Sequence, residues 1–195
     1  MVILIYLAYI HQEAFAIPEI MNMPVVDEEM KAAMLERFKT WRWVGFAAVP
    51  LLILIRVSLV GACLSTGAML NEKFSKLTYS GAYGIAMKSD VISVLHTIVS
   101  SVIIITLFRD DVIKGQTVFS LLYFIDMNAV DKWLTIPCAS INLFEVIYWF
   151  FMSKLVSVAT GNKFWKSFEF VMCTYGVGYL IYIVLMMFIT LYLSA

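Results

Sequence analysis

The chain has 195 residues, of which 62% are hydrophobic and only 14% charged, with a formal net charge of zero. So few charges cannot coat a globule of this length, which excludes an ordinary water-soluble domain. The neutral balance gives no sign of a nucleic-acid partner or of a polybasic lipid-binding tail. The expected solvent for most of this surface is a lipid bilayer.

Taken in chain order, Met1 to Ile10 is apolar but has neither a basic flank nor a small-residue cleavage site. Residues 1–17 therefore read as a short first span rather than a cleaved signal. Pro18 and Pro24 interrupt the chain, and residues 25–42 read as a surface helix. Asp27, Glu28 and Glu29 fall in its first turn and Lys39 and Arg42 near its end, matching the helix dipole. Trp41 and Trp43 mark a membrane interface, where indole rings settle at headgroup level.

The second span covers 43–66, interrupted only by Pro50 and Arg56, and carries Gly61 and Ser65 as a small-x-x-x-small pair for close helix packing. Residues 77–87 and 115–125 are apolar but too short to cross a bilayer as helices, so they read as interfacial or re-entrant segments. Further spans are expected at 91–108, 133–153 and 170–194. On the last, Tyr175, Tyr179 and Tyr182 share a side, and Gly176 and Gly178 offer a second packing site. The expected fold is thus an all-α integral membrane protein, one domain over 1–195, with about five spans and short interfacial helices. In that layout Lys and Arg divide seven to six between the two faces, which leaves the orientation open.

The run Trp133 to Ser153 contains one charge, Glu145. An ionisable group deep in a bilayer costs at least about 2.5–3.5 kcal/mol and is seldom kept without a partner or a task. Counted at about 1.5 Å per residue from the ends of their spans, Arg56, His96 and Glu145 fall in one layer, about 18–20 Å from the same face. Asn142, Glu145, Trp149 and Ser153 share one helix face at 3-4-4 spacing. The expectation is a buried polar cluster of Arg56, His96, Asn142 and Glu145. It serves either as a register-setting pair of Arg56 with Glu145 or as a proton or ion relay.

Enzyme signatures are missing. There is no H-E-x-x-H, no G-x-S-x-G and no glycine-rich phosphate loop, and His11 and His96 are the only histidines. No catalytic residue, metal ligand or cofactor is expected. Cys63, Cys138 and Cys173 sit in apolar runs at no metal spacing and read as packing residues.

The stretch Ile136 to Phe150 (IPCASINLFEVIYWF), followed by Thr174-Tyr175-Gly176-Val177-Gly178-Tyr179, resembles bacterial members of the YIP domain family. The resemblance extends over about Phe74 to Leu193 and implies five membrane spans joined by short loops. The acidic Asp-x-x-Gly-Pro pattern of the eukaryotic members is not present, so it implies architecture rather than their small-GTPase partners. The leading expectation is a non-enzymatic scaffold or accessory subunit of a complex of integral membrane proteins, in a bacterial cytoplasmic membrane. The competing expectation is a small transporter or channel with a relay through Glu145, Arg56 and His96.

Overall fold

The computed structural model describes residues 28–108, 115, 117–125 and 131–194. The expected first span at 1–17 lies outside the described residues. Their regular elements are all helical, with no strand among the described residues and one isolated β-bridge. Four helices are long and apolar enough to cross a membrane: Trp43–Leu70, Tyr79–Leu107, Leu143–Thr160 and Phe164–Leu193.

The chain divides into two compact units, Met1–Arg56 and Val57–Ala195. Helix α1, Glu28–Leu70, supplies all the described residues of the first and opens the second. It corrects the expectation of a surface helix separate from the second span, because one helix runs through Trp43 and past Pro50. The tryptophans mark an interface but carry no helix-breaking chemistry, and one internal proline removes a single backbone donor without ending a long helix. Trp41 and Trp43 are exposed, as are Leu51, Leu52, Leu54 and Ile55. In water such a surface would be a liability; against lipid it is the favourable one.

In the second unit, α2 (Tyr79–Ser89) leads into α3 (Val91–Leu107) with only Asp90 between them. Asp90 has right-handed helical angles, φ −64° and ψ −13°, and its backbone N–H still donates to Ala86 O at 3.0 Å. The polar run Lys88-Ser89-Asp90 therefore does not end a helix. Residues 77–87 and 91–108 are not two separate segments, but form most of one helical rod.

Helix α4 (Lys132–Ser140) ends at Ile141 and Asn142, both extended, and α5 (Leu143–Thr160) begins after them. The expected span 133–153 is consequently two helices. Asn142 causes the break, because its side chain satisfies an α5 backbone donor that a continuous helix would have bonded internally. Gly161 closes α5 at φ 75°, a left-handed angle that glycine reaches without a Cβ penalty. Helix α6 (Phe164–Val171), a π-turn (Met172–Gly176) and α7 (Val177–Ser194) complete the chain, so the last helical rod starts before residue 170.

Helix α5 is the hub of this unit, with α2, α3 and α6 against it, while α4 packs on α7. Its inward residues Tyr148, Met152, Ser153 and Val156 are almost wholly enclosed. Phe74 stacks on Phe170 with ring centroids 4.1 Å apart, and Asn162 Nδ2 donates to Lys73 O at 2.9 Å. These contacts fasten the 71–78 turn to the α5–α6 turn at one end of the unit.

Candidate functional site

The site is built around the interruption between α4 and α5. Two stretches of non-helical backbone meet there: Leu121 N–H donates to Ile141 O and Leu143 N–H to Phe119 O, each at 2.9 Å. Ser120 and Asn142 form the antiparallel bridge between them. The pairing satisfies groups that a helix would otherwise have bonded internally, and buried backbone requires such partners. The expected short segment at 115–125 thus contributes a 3-10 turn, Leu121–Phe124, and an extended backbone lying against the break.

Asn142 is the N-cap of α5, and its Oδ1 accepts the Glu145 backbone N–H at 2.8 Å. Its Nδ2 donates to Ser140 O at 3.3 Å, so the one side chain spans both sides of the interruption. An N-terminal turn is also where a carboxylate gains from the helix dipole. Glu145 occupies that turn, 9% exposed. Its Oε1 accepts from Tyr175 OH at 2.7 Å and from Trp149 Nε1 at 2.8 Å. The i, i+4 spacing of Glu145 and Trp149 on one face becomes a hydrogen bond.

The last rod engages both halves of the broken one. Tyr175 reaches Glu145, and Tyr179 OH donates to Ser140 O at 3.1 Å. Tyr175, Tyr179 and Tyr182 stack in series with centroids 5.9 Å and 6.2 Å apart, so the tyrosine row expected from the sequence is present. These contacts set the break level with the middle of Phe164–Leu193. Tyr175 lies within the π-turn, a local widening often found where a helix carries a task.

His96 reaches the same region from α3. Its ring lies 4.7 Å from that of Phe144, two residues past Asn142, and 6.4 Å from that of Phe119, next to Ser120. The structure therefore brings His96, Asn142 and Glu145 together around one interruption. Arg56 is exposed and closes the other unit. No group of three or more His, Cys, Asp or Glu side chains fit to hold a metal occurs among the described residues.

The packing residues separate in the same way. A Cβ on Gly61 would lie 3.1 Å from Tyr83 Cα, so α1 and α2 approach at backbone distance there, and Ser65 one turn on is 7% exposed. A Cβ on Gly178 would lie 3.0 Å from Cys63 Sγ. At Gly176 the nearest atoms, at 3.7 Å, belong to Met172 of its own turn, so no neighbouring helix demands glycine there. Gly67, which sequence reasoning missed, packs directly against Thr174 and Phe170.

A second buried carboxylate was also missed. Asp90 is 8% exposed, inside the apolar rod Tyr79–Leu107 rather than at its boundary. The signal was the absence of any proline between Tyr79 and Leu107, so that nothing in the run obliges a helix to end at Asp90. Ser89, beside it, is wholly buried with no hydrogen-bond partner for its hydroxyl among the described residues.

Because Asn142 caps α5 and bridges the break, Asn142→Ala should cost about 1 kcal/mol, the usual loss for a removed cap. Hydrogen exchange would show faster amides at 143–145 and unchanged amides at 152–156. Equal protection of 143–145 in both proteins would refute the cap's role.

No protein-family model, curated protein or solved structure matches this chain.

Proposed function

We propose that this protein is a non-enzymatic, multi-pass membrane component that acts as a scaffold or accessory subunit for other integral membrane proteins, in a bacterial cytoplasmic membrane. The observation that carries this reading is the closure of the Glu145 site. Its carboxylate is enclosed, two donors share one of its oxygens, and its backbone N–H is capped. Such a knot holds three helical pieces in one register and leaves the outward faces to carry the interaction. Those faces are rich in exposed Leu, Ile, Val and Phe on α1, α3, α5 and α7. The resemblance to the YIP domain family accords with this reading at the level of architecture alone.

The interruption itself favours a second reading, a small transporter or channel. Broken helices at membrane depth recur where a transport protein binds its ion or substrate. His96 beside Phe144, and Glu145 on the same turn, would be its titratable groups, whereas Arg56 keeps its charge at every pH.

Purification of the tagged chain from its native membrane in mild detergent separates the two. A scaffold brings a second integral membrane protein with it in stoichiometric amount. A chain that always purifies alone, and that carries a proton or solute flux in vesicles abolished by Glu145→Gln, overturns the scaffold reading in favour of the transporter.

A further inference from the structure

The end of the second unit where the 71–78 turn meets the α5–α6 turn is chemically unlike the rest. Asn162 Nδ2 donates to Lys73 O, and Phe74 stacks on Phe170, so two loops far apart in sequence form one surface. Lys73, Lys76, Lys154, Lys163 and Lys166 are all exposed around it, against exposed Glu72 and Glu169. The segment joining α3 to α4 has the opposite balance in sequence: Asp110, Asp111, Asp126 and Asp131 against Arg109 and Lys114.

Beside the lysines lies a patch of aromatic rings. Phe150 stacks on Phe168 at 4.9 Å and 27°, and Phe164 on Phe168 at 6.4 Å and 26°. Trp165 packs edge-on against Phe168 and is 70% exposed. An exposed indole with lysines on either side has the chemistry of a headgroup boundary: the ring takes the interfacial depth and the ammonium groups reach for phosphate. Lysines held at such a boundary are drawn to an anionic leaflet, and the attraction is screened by salt.

We infer that this lysine–aromatic end is a binding surface for anionic phospholipid headgroups, with Lys73, Lys76, Lys163 and Lys166 contacting phosphate and Trp165 anchoring the α5–α6 turn. The inference rests on the membrane reading above and adds which lipid the surface selects and where. It is independent of whether the protein is a scaffold or a transporter.

The test uses the full chain in vesicles of phosphatidylcholine alone or mixed with phosphatidylglycerol, with thermal unfolding as the readout. The expected result is a midpoint several degrees higher with phosphatidylglycerol, an increment that shrinks in high salt. The variant Lys73→Gln/Lys76→Gln/Lys163→Gln/Lys166→Gln should lose most of that increment while matching the original chain in pure phosphatidylcholine. The corresponding four Lys→Arg changes should retain it, which keeps the test sound if the Gln variant folds poorly. Equal midpoints of the original chain in both lipids, or an increment that survives high salt or the four Gln changes, overturns the inference. Loss of a co-purified acidic protein from the Gln variant, with the lipid increment unchanged, overturns it in favour of a protein partner. Failure to enter phosphatidylcholine vesicles removes the membrane reading as well, whereas entry without lipid preference removes this inference alone.

Discussion

Glu145→Ala should destabilise the protein in detergent by about 2–4 kcal/mol, since a stranded buried donor costs about 1–3 kcal/mol and a second, half-buried donor adds less. The donors are Tyr175 OH and Trp149 Nε1, both directed at the same carboxylate oxygen. Glu145→Gln keeps an acceptor oxygen and should lose less, about 1 kcal/mol. Tyr175→Phe should weaken the original chain, yet change little once Glu145 is already Ala, because the partner has gone. A double-mutant cycle on the pair reads this coupling directly. A Glu145→Ala loss no larger than that of the more exposed neighbour Val146→Ala would refute the knot.

The second large effect is expected at Gly61. A side chain there must displace the Tyr83 backbone, which has no rotamer to yield, so Gly61→Leu should cost about 1–3 kcal/mol or more. The sign reverses at Gly84, one residue from Tyr83. A Cβ on Gly84 meets nothing within 4 Å, so Gly84→Ala should stabilise by up to about 1 kcal/mol through helix propensity. Denaturation midpoints of the two variants in one detergent settle the matter. A gain at both positions would show that propensity, not backbone approach, governs this helix pair.

Much of the fold is legible in hydropathy because a membrane helix needs only length and apolarity to declare itself. The runs 43–66, 91–108 and 170–194 coincide, to within one residue at their ends, with parts of helices long enough to cross. What hydropathy hides is where a helix stops. Asn142 lies in an apolar run, so the run reads as one span, although Asn142 with Glu145 three residues later is a capping pattern. Asp90 misleads in the opposite sense, since a charge reads as a boundary while its backbone stays helical.

The candidate site was half legible. The faces bearing Glu145 with Trp149 and Tyr175 with Tyr179 follow from spacing alone, and so does the depth of His96. That Tyr175 closes on Glu145 does not follow, because it depends on a shift of phase inside the last rod. Nothing in one sequence announces that shift.

The π-turn Met172–Gly176 also has a consequence for change over time. A wide turn is in effect one residue inserted into an α-helix, and one residue rotates everything beyond it by about 100°. The row Tyr175–Tyr179 and the stack of Phe74 on Phe170 lie on opposite sides of the turn's first residue. A chain that lost that one residue would keep all its apolar matter, and still look like a membrane span to any measure of composition. It would, however, turn the tyrosines away from the broken helix. In this protein a deletion of one in that turn is therefore a larger event than most substitutions, and the length of the segment is itself under constraint.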